Sequence, residues 1–545
     1  MRIPRWRDLR QPAPLLAIVA VLLLVALLAF RAWDAYVEDR LERWAADELA
    51  RQTDSAYRLA LGDLSFSPLA GSLAFDSAVV TTDSERNRRR AAPLPTLRVR
   101  LHECRVSGLG LLRLAVARSL RTRLLACRRV VAAVALASPA RDDSAGAQDV
   151  AATVRRLVLP LGLSSLHLAE ISLPSLSFTL TRPGPRGGSS IALEHARFQA
   201  SDVALDPRRS SVGRARLEAT GLLLHPDTLI EISAARLRAD FTDSTLAVFG
   251  AEHDPAVSEA EWARRLQVRR DRIHFTLDSL QARGVAYRDF LSSGAIGIRV
   301  LEAHGARLDV LTDRRIPKGP PRRHRTPQQV AAQTGSPLRL DTVVVAGGTV
   351  LYRERKPDTE RPGVVSFEQV RATVVHLDLP SRGEPLKIQA SARLMGEGPV
   401  AARAVVPLDA PDFRYELSGR LGRMPAEAFN RFLSVNEAFD LDGGVVEEVA
   451  FEQRVTRGVA RTSIVPRYRD LSVDAAGKGG GIIGKVARGA KEFLAQAFVV
   501  RSSNPEDEDD DPRVARTVRR YDPTVTWPRF VWLSLKDGLL EVVRE

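Results

Sequence analysis

The sequence contains very little cysteine. Cys104 and Cys127 are the only two in 545 residues, which excludes a disulfide-rich secreted scaffold. They could pair in an oxidising compartment, or they could remain as two buried free thiols, and the sequence leaves both alternatives open. A cysteine-based zinc site is also excluded, because neither cysteine shares a metal-ligand spacing with a histidine.

The sequence also lacks the motifs of the common enzyme classes. Its nine histidines are scattered, no two lie at i and i+4, and HExxH, CxxC and GxSxG are absent. The stretch GGGIIGKV at 479–486 matches the glycines and the lysine of a phosphate loop, but Val486 stands where a magnesium-binding Ser or Thr is needed. We interpret this stretch as a hinge before a helix. We therefore predict no catalytic, cofactor-binding or metal site, and no enzyme activity.

Lysine is scarce as well. The net charge of +14 suggests nucleic acid as a partner, but only seven of the 80 basic residues are lysines. A composition rich in Arg, Ala and Leu is typical of a high-GC genome, and we predict no nucleic-acid partner. A basic surface near anionic lipid headgroups is one interpretation, and a solvated surface with no specific partner is the other. Aromatic residues make up only 6% of the chain, so its apolar surface is mostly Val, Leu and Ala.

What the sequence does have is one long apolar run near its start, PLLAIVAVLLLVALLAF at 14–30. We predict a transmembrane helix over residues 14–33, short for a bilayer core of roughly 30 Å. The arginine excess before it places residues 1–13 in the cytoplasm and the bulk of the chain across the membrane. A cleaved signal peptide is the rival interpretation, although no A-x-A site follows the run, and a buried soluble helix is the third. The predicted anchor residues are Leu15, Leu16, Val19, Leu22, Leu23, Leu24, Leu27, Leu28 and Phe30.

The rest of the chain divides into three parts. Residues 34–56 have the spacing of a membrane-proximal helix, residues 57–474 alternate apolar and polar side chains as β-strands do, and residues 475–545 return to mostly helical patterns. Short helices are predicted within or after the β region at 111–125, 258–266, 425–433, 485–497 and 527–543.

The β region contains an internal repeat. At a shift of 174 residues Leu166 falls on Leu340, Phe178 on Tyr352 and Pro183 on Pro357. A second similarity, at 63 residues, places Gly284 on Gly347. Recurring hairpins of this kind predict stacked repeats in a long, curled antiparallel sheet rather than separate globular domains.

Alternation allows one face of such a sheet to be apolar along its whole length. If that face is uncovered, it forms a groove that shields acyl chains from water; if it is covered, it is the core of a closed sandwich. The candidate groove residues are Leu166, Leu168, Phe178, Leu340, Val345 and Tyr352. The terminal helix could dock on a partner or cap the groove through Trp527, Phe530 and Trp532, or it could simply pack on its own last strands.

Several phrases of the chain resemble AsmA-like proteins, the bacterial envelope group that includes TamB- and YhdP-type proteins. These phrases are LGDLSFSPLAGSL at 61–73, the repeated Leu-x-Leu-Asp-[Ser/Thr] strand units, FDLDGG at 439–444 through YRDLSV at 468–473, and the closing Trp532-x-Ser-Leu-x-x-Gly-Leu. The patterns cover nearly the whole chain, but they are loose.

The resemblance implies a β-sheet groove that is held at the inner membrane of a Gram-negative bacterium and projects into the periplasm. It also implies a role in phospholipid movement and outer-membrane biogenesis, with the membrane and phospholipid as partners and other envelope proteins as possible ones. A non-enzymatic periplasmic scaffold with a closed β core is the alternative.

Overall fold

The computed structural model describes part of residues 43–51, and then 53–67, 70–90, 94–109, 119–135, 165–182, 188–205, 210–334, 337–437, 439–475, 501–507 and 509–543. The predicted membrane helix with its anchor residues, the hinge at 477–484 and the helix at 485–497 lie outside these ranges. The described positions between 43 and 51 are helical. Among the described residues, no helix combines the length and the apolar character needed to cross a membrane.

The fold is mainly β, as the alternation predicts. The strands are β1 (Tyr57–Ser67), β2 (Ser72–Thr82), β3 (Thr96–Ser107), β4 (Ser119–Ala135), β5 (Ser165–Arg182), β6 (Ser189–Leu205), β7 (Ser210–Ser211), β8 (Arg214–Asp227), β9 (Ile230–Asp240), β10 (Thr245–Pro255), β11 (Arg272–Val285), β12 (Ile296–His304), β13 (Arg307–Asp313), β14 (Leu338–Arg355), β15 (Gly363–Leu379), β16 (Leu386–Leu394), β17 (Gly398–Val406), β18 (Tyr415–Leu421), β19 (Met424–Pro425), β20 (Phe439–Thr456), β21 (Val459–Ala475) and β22 (Ala515–Arg520).

Short helices interrupt the strands. They are α1 (Ser84–Arg88), α2 (Glu259–Arg265), α3 (Tyr287–Ser293), α4 (Pro327–Gln333), a 3₁₀ turn (Ala426–Phe429) that leads into α5 (Asn430–Asn436), and α6 (Trp527–Val543). The helices predicted at 258–266, 425–433 and 527–543 are confirmed. Ser258 caps α2 by accepting a hydrogen bond from the backbone N–H of Glu261, which explains where that helix begins.

The chain divides into two compact units, residues 1–252 with 281–297 (unit 1) and residues 253–280 with 298–545 (unit 2). In unit 1, β1 to β4 are antiparallel neighbours, β4 runs parallel to β5, and β5, β6, β8 and β9 are again antiparallel. Its core is fully buried, with Leu73, Phe75, Leu101, Leu120 and Leu125 at most 1% exposed. Cys104 and Cys127 face each other across β3 and β4 and form a disulfide, the first of the two alternatives.

In unit 2, β11 pairs antiparallel with β13, and β13 runs parallel to β14. From β14 onward the order is β15, β16, β17, β18, β20, β21 and β22, each antiparallel to its neighbour. The sheet is therefore mixed, and the prediction of a purely antiparallel sheet is wrong at β4–β5 and β13–β14. A parallel pair needs a crossover connection, and the one between β13 and β14 contains α4.

The helix predicted over 111–125 is wrong for residues 119–125, which belong to β4. The side chains of β4 alternate between buried and exposed, and the strand bonds to β3 on one edge and β5 on the other. Hydrogen bonding on both edges overrides the helical spacing of the leucines in this stretch.

The internal repeat is confirmed, with a correction to its register. The hairpins β5–β6 and β14–β15 each follow a parallel pair, and each has two irregularities in its pairing. Before the first irregularity, Leu173 pairs with Phe198 in the first copy, and Val345 pairs with Ala372 in the second copy. The first strands of the two hairpins, which contain Leu173 and Val345, therefore correspond at a shift of 172 residues. The second strands, which contain Phe198 and Ala372, correspond at a shift of 174 residues. Leu168, rather than Leu166, therefore corresponds to Leu340. The loop of the second hairpin is longer, which an ungapped shift cannot accommodate.

Candidate functional site

The three strands β16, β17 and β18 of unit 2 have two different faces. Lys387, Gln389, Ser391 and Arg393 are exposed on one face of β16, while Leu386, Ile388, Ala390, Ala392 and Leu394 lie on the other face. The same alternation recurs along β18, where Glu416, Ser418 and Arg420 are exposed, whereas the exposed positions of β17 are Pro399, Ala401 and Arg403. One face of this part of the sheet is therefore apolar, and the other face is exposed to solvent.

The apolar positions are in register across strands. Ala372 lies opposite Ala390, Ala390 opposite Ala402, Ala402 opposite Gly419, and Gly419 opposite Phe451. The neighbouring positions on the same face include larger side chains, such as Ile388, Val400 and Leu417, and two further alanines, Ala392 and Ala404. We call the half-buried positions of this face on β15 to β20 the central apolar face: Ala372, Val374, Ile388, Ala390, Val400, Ala402, Leu417, Gly419 and Phe451.

The same apolar face is fully buried at its two ends. At one end Leu386, Val406 and Tyr415 join a cluster around Phe413, Tyr521 and Phe530, which we call the aromatic cluster. The rings of Phe413 and Tyr521 lie 4.7 Å apart, and those of Tyr521 and Phe530 lie 5.2 Å apart. At the other end Leu421 packs with Met395 and Met424. The half-buried apolar stretch therefore lies between two buried ends.

Two neighbouring alanines of β17 show which face is recessed. Ala401 is exposed on the polar face, whereas Ala402 is half-buried on the apolar face. Because the two side chains are identical, the difference in exposure comes from the environment of each face. The apolar face is therefore the more enclosed of the two, although its centre is not covered to the extent of a closed core.

A hollow of about 1010 Å³ follows the same strands, and its volume lies at the upper end of the usual range for ligand sites. By strand alternation, most of its lining residues belong to the opposite, polar face of the sheet, and the members of the central apolar face among them are Ala372, Ala390, Ala402, Gly419 and Phe451. Its charged lining residues are three arginines and one glutamate: Arg371, Arg403, Arg420 and Glu452. The full lining is Val344, Val345, Ala346, Arg371, Ala372, Thr373, Gln389, Ala390, Ser391, Ala401, Ala402, Arg403, Ser418, Gly419, Arg420, Ala450, Phe451, Glu452, Ser463 and Val465.

A charge network fastens α2 to the strands of unit 2. Glu259, the first residue of α2, accepts hydrogen bonds from Arg353 and Arg355 of β14, each at 2.8 Å. Arg353 also donates to Asp309, and Arg355 reaches the buried carboxylate of Asp313. The network lies on β13 and β14, and none of its members lines the hollow.

The acidic members of this network have depressed pKa values. Burial alone would raise the pKa of Glu259, but hydrogen bonds from Arg353 and Arg355 outweigh it and hold the pKa below its usual range. Burial likewise opposes ionisation of Asp313, and hydrogen bonds from the side chain and backbone of Arg315 keep its pKa low. Both carboxylates are therefore charged at neutral pH, and we interpret the network as structural.

The structure separates the predicted groove residues. Leu166 and Leu168 lie in the closed core of unit 1, where they are 1% and 0% exposed, and Phe178 packs against that core. In unit 2, Leu340 is buried, Val345 lines the hollow, and Tyr352 is half-buried and donates a hydrogen bond to Glu354. Burial of Tyr352 raises its pKa to about 12. Of the six residues, Val345 alone lines the hollow.

The terminal helix α6 packs on β21 and β22, so it lies on its own last strands. Of its three predicted anchors, Phe530 is buried in the aromatic cluster, whereas Trp527 and Trp532 are 41% and 54% exposed. The small residues Ser534 and Gly538 face the sheet instead.

Sequence reasoning missed the alanines of β16 and β17, since alanine carries a weak strand signal and occurs throughout this chain. Their strict alternation with Gln389, Ser391 and Arg403 was the available signal. Sequence reasoning also missed the helix α4. The signal was available, because Thr326 and Gln329 have the spacing of a capping box and Pro327 stands in the first turn. The structure contains that capping box.

No model of a known protein family matches this chain, and no functionally characterised protein matches it significantly in sequence. The resemblance to AsmA-like proteins therefore remains a hypothesis that depends on the phrases quoted above.

Proposed function

We propose that this protein binds phospholipid through the central apolar face of unit 2, without catalysis. The observation that carries the proposal is the contrast along that face, which is fully buried at both ends and only half-buried between them. An apolar surface that the chain leaves open is a favourable place for acyl chains, because each buried methylene contributes about 0.8 kcal/mol.

The arginines of the hollow are not part of this site. Arg371, Arg403 and Arg420 each lie one position away from a residue of the central apolar face, so their side chains stand on the opposite face of the strands. The proposal therefore rests on the apolar face itself and on the resemblance to AsmA-like proteins.

We further propose that the protein is AsmA-like, held at the inner membrane by residues 14–33 with its bulk in the periplasm, and that it supports outer-membrane biogenesis. The uncharged run at 14–30 with arginines before it supports the membrane anchor. The disulfide between Cys104 and Cys127 supports an oxidising compartment, since such bonds are rare in the bacterial cytoplasm.

A second candidate is a periplasmic scaffold that binds other envelope proteins. The closed core of unit 1 favours it, because Leu166, Leu168 and their neighbours offer no open surface to a lipid. The two candidates differ in whether unit 2 carries lipid.

The test compares two variants of the full chain, each with one substitution, at two adjacent positions of β17. Ala402→Glu places a charge on the central apolar face, and Ala401→Glu places the same charge on the exposed face of the same strand. Each protein is purified in an amphipathic polymer, and the phospholipid in its organic extract is quantified by mass spectrometry. We expect Ala402→Glu to lose bound phospholipid that the wild type and Ala401→Glu retain. Equal amounts in all three folded proteins would rule out lipid binding at this face and favour the scaffold.

A further inference from the structure

The exposed face of the unit 2 sheet carries a hollow that the proposed lipid site does not use. The hollow has a volume of about 1010 Å³ and extends across the strands from β14 to β21. Six strand spacings at about 4.8 Å make that width roughly 29 Å. Small side chains along its middle leave the space above the strands free, and these are Ser391, Ala401, Ser418, Ala450 and Ser463. The hollow is therefore a broad trough that is open to solvent.

The hollow is positively charged, and two of its three arginines lack a partner. Arg420 forms an ion pair with Glu448. Arg371 and Arg403 are exposed, and neither forms a hydrogen bond or an ion pair with any residue that the structure describes. These two guanidinium groups are therefore available to an anionic partner.

The positive charge continues on the last two strands of the sheet. Arg516 of β22 lies opposite Ser463 of the hollow, so its side chain stands on the same face. Arg461 and Arg520 are exposed on that face as well. The one aromatic residue of the lining, Phe451, belongs to the central apolar face, so the hollow offers no ring on which a nucleobase could stack. The charge and the lack of a ring favour an acidic peptide over a nucleic acid.

The chain itself carries such a peptide. Residues 506–511 read EDEDDD, and we call them the acidic loop; those that the structure describes are exposed. Glu506 forms an ion pair with Arg501. The four aspartates of the loop, by contrast, form no ion pair with any described residue: Asp507, Asp509, Asp510 and Asp511. Six residues span at most about 20 Å when fully extended, so the acidic loop is shorter than the hollow is wide.

We propose that the hollow binds the acidic loop of a second copy of this chain. The two surfaces are complementary in charge, because arginines without a partner line the hollow and aspartates without a partner make up most of the loop. A guanidinium group can also form two parallel hydrogen bonds with a carboxylate. Within one chain, no ion pair between described residues joins the acidic loop to the hollow, so the loop remains exposed to another copy.

Every copy carries both surfaces, so the contact either closes a two-fold dimer or repeats head to tail. In both arrangements the hollow of one copy meets the loop of the other. The inference does not rest on the proposed lipid binding, since the hollow lies on the opposite face of the strands.

The experiment measures how much of one full-length copy is captured by another copy that carries a different tag. The hollow variant combines Arg371→Glu with Arg403→Glu. The matched control combines Arg361→Glu with Arg382→Glu, the same charge change at two exposed arginines outside the hollow. All proteins are purified in an uncharged amphipathic polymer, and thermal unfolding establishes that each is folded. The loop variant changes the four aspartates together: Asp507→Asn, Asp509→Asn, Asp510→Asn and Asp511→Asn.

We expect the hollow variant and the loop variant each to capture its own kind about tenfold less than the wild type does, because one of the two complementary charges is gone. Mixing the hollow variant with the loop variant restores capture, since the intact loop of the first then meets the intact hollow of the second. Wild-type capture falls when salt is raised from about 0.05 M to about 0.5 M, because salt screens the attraction. The control variant captures as much as the wild type.

Three results would overturn the proposal. They are no capture between wild-type copies, equal capture by the wild type and both variants, and a mixture of the two variants that captures no more than either variant alone. Each of these results leaves the proposed lipid binding intact, because that site lies on the opposite face and is tested separately by Ala402→Glu.

Discussion

Gly538 of α6 lies directly over Ile464 of β21. A Cβ atom added at position 538 would stand 2.6 Å from Cγ2 of Ile464, so the helix approaches the sheet as closely as it does only because residue 538 has no side chain. Ser534, one turn earlier, is fully buried and also small. The contact fixes α6 on the strands that close one end of the central apolar face.

This contact predicts the sign of the effect of Gly538→Ala. In an ordinary helix interior the change stabilises by about 1 kcal/mol, but here the methyl group meets the branched side chain of Ile464. We expect a net destabilisation of roughly 1–3 kcal/mol, the usual cost of overpacking, measured by denaturant unfolding. Trp532→Ala, on the exposed face of the same helix, is the control and changes stability by about 0.5 kcal/mol or less. A more stable Gly538→Ala protein would contradict the close approach.

The charge network of α2 predicts an acid-sensitive stability. Because the folded pKa of Glu259 lies below its unfolded value, the ionised group contributes stability above about pH 5 and loses that contribution as the pH falls below about 4. Glu259→Gln removes this contribution, so its free energy of unfolding should fall less between about pH 5 and about pH 3 than that of the wild type.

The control for this experiment is Glu261→Gln, two residues further along α2, where the carboxylate pairs with Arg265 of the same helix. It should keep the pH dependence of the wild type. Identical pH profiles for Glu259→Gln and the wild type would show that the network does not stabilise unit 2.

A buried polar chain next to the aromatic cluster predicts energetic coupling. The hydroxyl of Tyr415 donates to Oε1 of Gln453 at 2.5 Å, and Nε2 of Gln453 donates to Thr462 at 3.0 Å, with all three residues buried. Tyr415→Phe leaves the amide oxygen of Gln453 unpaired, and we expect a loss of about 1–3 kcal/mol.

A double-mutant cycle with Gln453→Leu isolates the hydrogen bond itself. We expect the double variant to lose less stability than the sum of the single variants, by roughly 1 kcal/mol or more. Strict additivity in urea unfolding would mean that the Tyr415 hydroxyl does not bond to Gln453 in solution.

The cross-strand disulfide predicts that reduction destabilises unit 1. Cys104 and Cys127 are 23 residues apart, and a bond closing a loop of that length contributes about 3 kcal/mol. Cys104→Ala combined with Cys127→Ala should lose that amount in denaturant unfolding, and the non-reduced wild type should show no thiol accessible to alkylation after unfolding. Two alkylated cysteines in the non-reduced protein would contradict the bond.

Sequence alone determined the period of most segments, and with it the mainly β character of the fold. Alternation located the hairpins of the β region, Ser258 marked the start of α2, and the apolar spacing of 527–543 gave α6 with its correct bounds. These features depend on local backbone geometry and on which side chains repeat along it, so they can be predicted without knowing the partner strands.

Only the tertiary structure decided which strands pair, and how. Residues 119–125 have helical spacing, yet they join β4 because β3 and β5 offer hydrogen bonds on both edges. Leu168 and Leu340 occupy equivalent positions in the repeat, but Leu168 belongs to the large core cluster of unit 1, whereas Leu340 is buried in unit 2 and is 9% exposed. Phe451, Gly419 and α6 are far apart in the sequence and meet only because the strands bring them together.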